Sequence, residues 1–429
     1  GAKILAKKAT KSIKRWASKP IETQQKVFKK LITEAKNTSF GKDHDFQNIK
    51  THQDFVKRVP ARDYEGLKEY FERTANGEEN VLWKGNPTYI AKTSGTTSGA
   101  KYIPITKQSM PSHIEAAKNA LLCYIEETGN VDFVNGKMIF LQGSPELEIK
   151  NGINIGRLSG IVAHFVPKYL QKNRLPSWKT NCIDDWETKV DAIVEETKDE
   201  NMTLIGGIPS WIQMYYEKLQ KASNKKVGEL FKNYQLFVYG GVNYEPYRAK
   251  FEEMIGRSVD SIELYPASEG FFAFQDSQKE KGMLLQLNSG IFYEFIEASK
   301  FYEENPKRLT IVEVKVGVNY VMIISTNAGL WGYNIGDTVM FTSTSPYRVI
   351  VSGRIKHFIS AFGEHVIGKE VEHAIKEAMN EFKFSISEFT VAPQINSLNG
   401  ELPYHEWLIE FETLPENLEE IAFFMDTIM

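Results

Sequence analysis

The sequence predicts an α/β protein in which a large N-terminal domain, built on mixed or parallel sheets flanked by helices, precedes a small α+β C-terminal domain. Short β-branched and aromatic runs alternate with longer helical patterns from residue 81 onward, which is typical of a largely parallel sheet. After residue 282, strand-like runs follow one another with only turns between them. This change predicts an antiparallel part that is barrel-like or packed as sheet on sheet.

The opening of the chain is predicted to be helical. Residues 1–19 contain seven Lys or Arg and no acid, and their apolar residues fall on one helical face. Because no continuous apolar segment and no small-residue cleavage site accompany this pattern, we expect an amphipathic helix docked on the body rather than a targeting peptide. A second helical pattern covers residues 23–36 and ends before a turn-rich segment.

The later elements follow from the period of the apolar residues and from the turn residues between them. In the α/β part, the predicted strands are 137–141, 161–165, 203–205, 236–239 and 261–264, and the predicted helices are 109–128, 186–198, 210–222 and 245–255. In the antiparallel part, the predicted strands are 292–296, 309–316, 320–325 and 337–341. The last section is predicted to contain a helix at 368–382 and a strand at 388–392.

We therefore expect two domains, residues 1–352 and residues 353–429. The boundary falls where the antiparallel pattern gives way to a strand-like stretch, a turn at Gly363 and the helix that follows it. The helical pattern at the C-terminal end of the chain is unfinished. This predicts that the small domain is incomplete.

Composition narrows the class of function. The 429 residues are 42% hydrophobic and 25% charged, close to the average for globular proteins. The chain has 52 Lys and Arg and 55 Asp and Glu, which gives a net charge of −3. A chain with this balance lacks the strong positive field that nonspecific nucleic-acid binding requires. We expect no nucleic-acid partner.

Cysteine, histidine and apolar runs exclude further classes. Cys123 and Cys182 stand far apart with no Cys or His at metal-ligand spacing beside them, which favours a reducing, cytoplasmic location without disulfides or zinc. No two of the eight histidines have the i, i+4 spacing of a helical metal site. No window reaches the roughly 18 consecutive apolar residues of a membrane span, so we expect none.

The strongest local motif is the segment Thr93–Lys101, which is rich in Ser, Thr and Gly and ends in a lysine. Glycines let consecutive backbone N–H groups converge on an anion, hydroxyls add donors, and the lysine adds a positive charge. The spacing differs from the Walker motif because Gly95 and Gly99 enclose three residues and Ala100 precedes Lys101. The motif predicts phosphate binding, with a flexible polar turn as the alternative.

Two further segments place carboxylates in turns. The segment Glu263–Gly270 runs from a strand end into a turn that presents Tyr265, Ser268 and Glu269, and a carboxylate there can hold Mg²⁺ beside bound phosphates. The segment Gly332–Thr338 places Asp337 after a glycine turn at the start of a strand, where it can accept both hydroxyls of a ribose. Each segment alone is also compatible with an ordinary solvated turn.

The segment 352–366 brings the cations Arg354 and Lys356 to the predicted domain boundary. A hinge and a nucleotide clamp are both compatible with this position.

The order and spacing of these motifs resemble the adenylate-forming superfamily of acyl-CoA synthetases, adenylation domains and luciferase. Within it, the chain is most similar to the Gretchen Hagen family of acyl acid amido synthetases, which in plants join jasmonate or auxin to amino acids. The resemblance covers nearly the whole chain and depends on residues 37–44, 58–64, 93–101, 207–211 and 265–270.

The resemblance implies roles for individual residues. Binding of the ATP phosphates would come from Ser94, Thr96, Thr97, Ser98 and Lys101. Tyr265 and Ser268 would contact the adenosine and the acyl phosphate, Glu269 would bind Mg²⁺, and Asp337 would bind the ribose. Arg354 would meet the ribose or a phosphate, and Lys356 would lie at the hinge of a mobile small domain. For the acyl substrate the resemblance gives only Ser159, His164, Leu285 and Phe292.

The implied function is that of a ligase. With ATP and Mg²⁺ it would adenylate a small carboxylic acid and transfer the acyl group to an amine, that of an amino acid. Two alternatives stay open: an acyl-CoA or aryl-CoA ligase that shares the adenylation step, and a catalytically silent nucleotide-binding homologue. The late C-terminal cation that the superfamily uses for adenylation is not expected within these 429 residues.

Overall fold

In the computed structural model, which describes residues 1–96, 99–166, 171–355, 368–394 and 404–428, the strands pair into three sheets surrounded by helices. The α-helices of the described residues are α1 (Ala2–Ala17), α2 (Pro20–Ala35), α3 (Ser39–Asp43), α4 (His52–Arg58), α5 (Tyr64–Ala75), α6 (Met110–Thr128), α7 (Leu158–Ala163), α8 (Trp178–Asn181), α9 (Trp186–Thr197), α10 (Pro209–Ser223), α11 (Val227–Leu230), α12 (Glu245–Ile255), α13 (Gly368–Phe382) and α14 (Leu418–Ile428). Short 3₁₀ helices cover Phe46–Asn48, Asp132–Asn135 and Ala298–Lys300. None of these helices is long and apolar enough to cross a membrane.

The strands are β1 (Tyr89–Thr96), β2 (Gly99–Ile105), β3 (Lys137–Phe140), β4 (Glu148–Lys150), β5 (Ile153–Gly156), β6 (Arg174–Leu175), β7 (Met202–Gly207), β8 (Leu236–Gly240), β9 (Asp260–Ala267), β10 (Gly270–Phe274), β11 (Met283–Leu285), β12 (Ile291–Glu297), β13 (Asn319–Thr326), β14 (Tyr333–Thr344), β15 (Tyr347–Arg354), β16 (Ile386–Gln394) and β17 (Tyr404–Phe411). Eleven of them form one sheet in the order β12-β13-β14-β15-β11-β10-β9-β8-β7-β3-β6. A four-stranded sheet has the order β2-β1-β5-β4, and β16 pairs with β17.

The parallel half of the large sheet runs from β9 through β8, β7 and β3 to β6. Its apolar residues alternate between two covered faces, as the period of a strand requires. Ile205 and Phe237 pack with α9, α10 and α12, whereas Leu204 and Leu236 pack with α1 and α6. The predicted amphipathic first helix is confirmed in this position.

The antiparallel half extends the same sheet instead of forming a separate body. The hairpin of β9 and β10 reverses the chain direction, and β10, β11, β15, β14, β13 and β12 then pair antiparallel. In the described residues these strands do not close into a barrel, so the barrel-like part of the prediction is wrong. The mixed α/β class with helices on both faces is confirmed.

Two predicted strands are also wrong. Residues 161–165 include the end of helix α7, because a short run of Ile and Val fits a buried helical turn as well as a strand. Residues 309–316 form turns whose pairing with the sheet is limited to the isolated bridges Phe295↔Leu309 and Val316↔Phe341. Three of the apolar residues of this segment, Leu309, Ile311 and Val314, are nevertheless buried against the antiparallel half, whereas Val312 and Val316 are exposed.

A buried ionic triad fastens α4 to the antiparallel half. The Glu294 carboxylate on β12 is fully buried and pairs with the buried Arg308 guanidinium, and it lies 2.7 Å from Nε2 of His52 on α4. Arg308 also donates to the carbonyl oxygen of Val59 just after α4. Burial alone would raise the pKa of Glu294, but Arg308 and His52 hold it below its ordinary value.

The C-terminal part has its own small core, where α13 and α14 pack on β16 and β17 around Ile375, Ile421 and Trp407. Its contacts with the large domain are polar. Asn243 donates to Glu372 at 2.6 Å, Lys376 pairs with Glu245 at 3.5 Å, and Lys250 pairs with Glu412 at 3.3 Å. A boundary near residue 353, at the end of β15, is our proposal for the domain division.

Candidate active site

A cleft of about 1870 Å³ opens at the carboxyl ends of the parallel strands, between the large sheet, the four-stranded sheet and helix α13. Ligands of open α/β sheets bind at this edge because the loops that leave the strands converge there. The cleft is lined by loops after β3, β8 and β9, by β14 and β15, and by the hairpin of β1 and β2. Seven of the fifteen predicted site residues line this cleft: Lys101, Ser159, Tyr265, Ser268, Glu269, Asp337 and Arg354.

The predicted phosphate loop is a hairpin. Strand β1 runs through Ser94 to Thr96, and β2 returns from Gly99, with Thr93 paired to Lys101. Thr93, Ala100 and Lys101 line the cleft, and the backbone N–H of Tyr102 donates to the Tyr64 hydroxyl at 3.0 Å. This bond fixes the strand that carries Lys101. Thr97 and Ser98 lie outside the described residues.

Glu269 occupies the turn between β9 and β10, as the sequence predicts. Ser268 and Glu269 connect Ala267 to its partner Gly270 and line the cleft. Burial raises the pKa of the Glu269 carboxyl, and the Lys101 ammonium opposes this shift. The Tyr333 hydroxyl donates to Oε1 of Glu269 at 3.4 Å, so this turn carboxylate has a fixed orientation instead of being merely solvated.

Tyr333 is held in turn by the segment before α5. The backbone N–H of Arg62 donates to the carbonyl of Gly332 at 3.0 Å, and the N–H of Asn334 donates to the carbonyl of Arg62 at 2.8 Å. On its other side the Tyr333 ring packs edge-on against Phe71, which stacks on Tyr64. One helix, α5, thus supports both the strand of Lys101 and the partner of Glu269.

Asp337 forms the other charged centre of the cleft. Its carboxylate accepts a hydrogen bond from the Tyr265 hydroxyl at 2.7 Å and lies 3.3 Å from Nε of Arg354, its register partner on β15. Burial raises the pKa of Asp337, while Tyr265, Arg354 and Lys101 oppose the shift. Asp337 lies inside the long strand β14, not at the start of a strand as predicted. Gly336 before it has φ 89°, which a residue with a side chain adopts at a cost.

The cleft brings one cation close to two carboxylates. Lys101 lies close enough to act on both Glu269 and Asp337, and so does Arg354 on Glu269. A diol at Asp337 would therefore place the rest of a nucleotide beside a cation and a second carboxylate. The predicted hinge residue, Lys356, lies outside the described residues.

Glu263 is a site residue that sequence reasoning did not assign. It lines the cleft from β9, two residues before Tyr265 and therefore on the same strand face. Burial raises the pKa of its carboxyl to about 7, with a further contribution from Glu245. The only signal in the sequence was a glutamate within a predicted strand, which does not distinguish a cleft residue from an exposed one.

This carboxyl makes stability depend on pH. Because its pKa is raised in the folded state, its stabilising contribution is complete below the ordinary glutamate pKa and is lost as the pH rises through about 7. We expect the free energy of unfolding of Glu263→Gln to exceed that of the parent by about 1–3 kcal/mol at pH 8 and to differ little from it at pH 4.5. Chemical denaturation at both pH values measures this. Glu252→Gln, at an exposed position of α12, should change stability by less than about 0.5 kcal/mol at either pH.

The four residues predicted for the acyl site do not lie together in the structure. Ser159 lines the cleft at the start of α7. His164 is turned toward the Pro145 carbonyl, 2.9 Å from its Nε2, and packs on Trp178. Leu285 and Phe292 lie in the hydrophobic core and not along the cleft, because an apolar residue in a strand has the same pattern in a core and in a pocket. The structure brings only Ser159 to the site.

The described residues contain no group of three or more His, Cys, Asp or Glu side chains arranged to hold a metal ion. Mg²⁺ does not require such a group, since it often takes one or two carboxylates and completes its shell with water and phosphate oxygens. Glu269, with its carboxylate oriented by Tyr333 and its location in the cleft, fits that donor set.

Comparison with known proteins gives matches along the chain. A model of the GH3 family N-terminal domain matches residues 9–179, and a model of the GH3 family central domain matches residues 284–354. A jasmonoyl–L-amino acid synthetase of Nicotiana attenuata, JAR4, is 21% identical over 94% of this chain and 81% of its own length. An indole-3-acetic acid-amido synthetase of Arabidopsis thaliana, GH3.15, is 24% identical over 72% of this chain and 64% of its own.

Solved structures of amido synthetases and of an acyl-CoA ligase have a similar fold. The AtGH3.15 acyl acid amido synthetase in complex with 2,4-DB superposes with a TM-score of 0.79 at 16% identity, covering 99% of this chain and 85% of the other. A 2-hydroxyisobutyryl-CoA ligase superposes with a TM-score of 0.59 at 12% identity, covering 94% of this chain and 89% of the other.

Proposed function

Because the chain belongs to the GH3 family, we propose that it is an ATP-dependent ligase that adenylates a carboxylic acid and transfers the acyl group to the amine of an amino acid. The observation that carries the proposal is the meeting of Lys101, Glu269 and Asp337 in one cleft. The relatives named as amido synthetases support the choice of acceptor. Free Cys123 and Cys182 are compatible with the cytoplasmic location that we propose for it.

The charged residues of the cleft suggest how ATP would lie along it. Asp337, oriented by Tyr265 and Arg354, would accept the ribose hydroxyls. The phosphates would then extend toward Lys101 and Glu269, and the base toward Glu263, whose neighbours include Glu245 but not Lys101. Ser94, Thr96, Thr97 and Ser98 would add donors to the phosphates from the hairpin, as the sequence motif predicts. Mg²⁺ would be held by Glu269 and would supply positive charge beside the phosphates.

In the first half-reaction a carboxylate oxygen attacks the α-phosphorus of ATP. The new P–O bond replaces the bond to the β-phosphate oxygen, and pyrophosphate leaves with that electron pair. Two unit charges 4 Å apart interact by about 4 kcal/mol at an effective dielectric of 20. The approach of two anions therefore needs countercharge, which Lys101 and Arg354 supply. Catalysis is positioning plus electrostatic stabilisation, without a covalent nucleophile.

In the second half-reaction the neutral amine attacks the acyl carbonyl carbon. A C–N bond forms, the bond from the acyl carbon to the AMP oxygen breaks, and AMP leaves with that electron pair. The nitrogen releases its extra proton to solvent water. The enzyme residues keep AMP in place through Asp337 and Arg354 during this step.

ATP–pyrophosphate exchange with a panel of aromatic and aliphatic acids tests the proposal. We expect exchange that requires one class of acid, followed by amide formation when amino acids are added. Exchange followed by product only with coenzyme A would instead identify an acyl-CoA ligase, the activity of the more distant structural neighbour. ATP binding without exchange for any acid would contradict the adenylation step and support a silent homologue.

Tyr333→Phe tests the orientation of Glu269. Removing only the hydroxyl deletes the hydrogen bond at 3.4 Å to the carboxylate and keeps the ring packed on Phe71. We expect the exchange rate to fall about 3- to 10-fold, which corresponds to about 1 kcal/mol, with a higher Mg²⁺ concentration at half-maximal rate. An unchanged Mg²⁺ dependence would show that this bond does not orient the carboxylate. The matched control is Tyr302→Phe, which also removes one hydroxyl and one hydrogen bond, that of an exposed tyrosine to the Ile355 carbonyl at 3.2 Å.

A further inference from the structure

The end of the cleft that faces the four-stranded sheet carries two cations without an assigned role, Lys92 on β1 and Arg157. Arg157 follows β5 directly, precedes α7, and lines the cleft with an exposed side chain. Within the described residues its guanidinium has no hydrogen bond and no carboxylate within 4 Å, although Asp184 lines the same region. A planar cation with five donors is thus available to a ligand.

The position of Arg157 is built into the fold. A Cβ atom on Gly143 would lie 2.7 Å from Cδ of Arg157, so the absence of a side chain there makes room for the stem of the arginine. A Cβ on Gly160 in α7 would lie 2.4 Å from the Ser144 carbonyl oxygen. The close approach of Gly160 to the backbone of Ser144 and Pro145 holds the 143–145 loop against the start of α7. The buried Lys189 adds to this support by donating to the carbonyls of Gln142 and Asn181.

Different cations act on the charged groups of the cleft. Lys101 and Arg354 influence the carboxyls of Glu269 and Asp337, whereas Arg157 and Asp184 influence Lys189. Of the other cations that line the cleft, Arg354 pairs with Asp337 and Lys376 pairs with Glu245, while Lys92 and Lys281 lack the planar donor fork of a guanidinium. Arg157 is therefore available to an anion other than the one that Lys101 faces.

We propose that Arg157 binds the α-carboxylate of the acceptor amino acid and so selects amino acids over simple amines. This inference rests on the proposed function. In the second half-reaction the carboxylate of the acyl acid has been consumed in the acyl adenylate, so the α-carboxylate of the acceptor is the new anion that enters the cleft. An arginine matches a carboxylate with two parallel N–H···O bonds, which a lysine cannot reproduce. Ser159, two residues further on at the start of α7, lines the same wall, which places the acceptor beside the acyl group.

The test compares an amino acid with its carboxamide as acceptors, using the whole chain. For Arg157→Gln we expect KM for the amino acid to rise about 10- to 100-fold, and KM for the carboxamide to change far less, so that the preference for the free carboxylate disappears. Arg157→Lys should restore part of that preference. Lys150→Gln removes an exposed cation of β4 outside the cleft and should retain the parent preference.

Pyrophosphate exchange without an acceptor separates this proposal from the proposed function. Two results together support the proposed function and the role of Arg157: the parent catalyses exchange, and Arg157→Gln loses the preference for the free carboxylate in amide formation without a change in exchange. An equal rise in KM for the amino acid and its carboxamide, or a preference equal to that of the parent, overturns the role of Arg157 while leaving adenylation in place. A rise in KM for ATP in exchange assays of Arg157→Gln also overturns it, because the arginine would then bind phosphate. Absence of exchange in the parent contradicts the proposed function itself.

Discussion

Glu269→Gln is expected to lower acid-dependent ATP–pyrophosphate exchange about 10²- to 10³-fold, the effect typical of removing one electrostatic group from a transition state. The amide keeps the volume and the hydrogen bond from Tyr333, but it no longer carries the negative charge that a divalent cation requires. Lys101 would also lose the carboxylate on which it acts. The measurement is exchange over a range of Mg²⁺ concentrations, in which added Mg²⁺ should not restore the parent rate.

The control for this variant is Glu126→Gln, at an exposed position of α6 away from the cleft, which should exchange within about twofold of the parent. Thermal unfolding of Glu269→Gln at neutral pH should occur at the midpoint of the parent or above it, because replacing a carboxyl whose pKa burial raises by a neutral amide does not destabilise the fold. Parent-like exchange by Glu269→Gln would show that the carboxylate does not hold the metal.

Local sequence patterns predicted individual helices and strands better than they predicted how the strands pair into sheets. The helix at 245–255 has the predicted limits, since its apolar period, an N-terminal Glu-Pro and a C-terminal glycine all agree. The continuity of the large sheet could not be predicted in the same way. It depends on β11 pairing with β15, more than 60 residues further along the chain, and no local pattern records that partner. The strand predicted at 309–316 is wrong for the same reason, because Leu309, Ile311 and Val314 are buried by packing and not by pairing.

The same limit applies to the cleft. Lys101, Glu269 and Asp337 stand in short motifs with turn residues, so their chemistry was visible along the chain. Tyr333 and Glu263 acquire their roles from neighbours that are distant in sequence, Glu269 and Glu245 respectively. Arg157 is one of 52 basic residues until the fold places it in the cleft.

Glu294→Gln is expected to cause the largest loss of stability, because it leaves the buried Arg308 guanidinium without its carboxylate. Breaking a buried ion pair from one side typically costs about 3–5 kcal/mol, and for a domain of this size such a change lowers the midpoint of thermal unfolding by about 5–15 °C. The lowered pKa of Glu294 means that its contribution is present above the ordinary glutamate pKa and is lost as the pH falls through the folded value. Scanning calorimetry at pH 7 and below pH 4 should therefore show the difference between parent and variant shrink in acid.

The matched control separates burial from charge. Glu297→Gln breaks the pair with Lys300, whose side chains are 31% and 53% exposed, and such pairs contribute less than about 1 kcal/mol. A double variant, Glu294→Met with Arg308→Met, removes both charges and should recover much of the loss of Glu294→Gln, since apolar replacement of a buried pair is often neutral or stabilising. If the double variant recovers stability, the loss in Glu294→Gln comes from the guanidinium of Arg308 that is left without a carboxylate. A double variant as unstable as Glu294→Gln would contradict that origin, and would show that removing Arg308 together with its bond to the Val59 carbonyl costs as much as leaving the guanidinium unpaired.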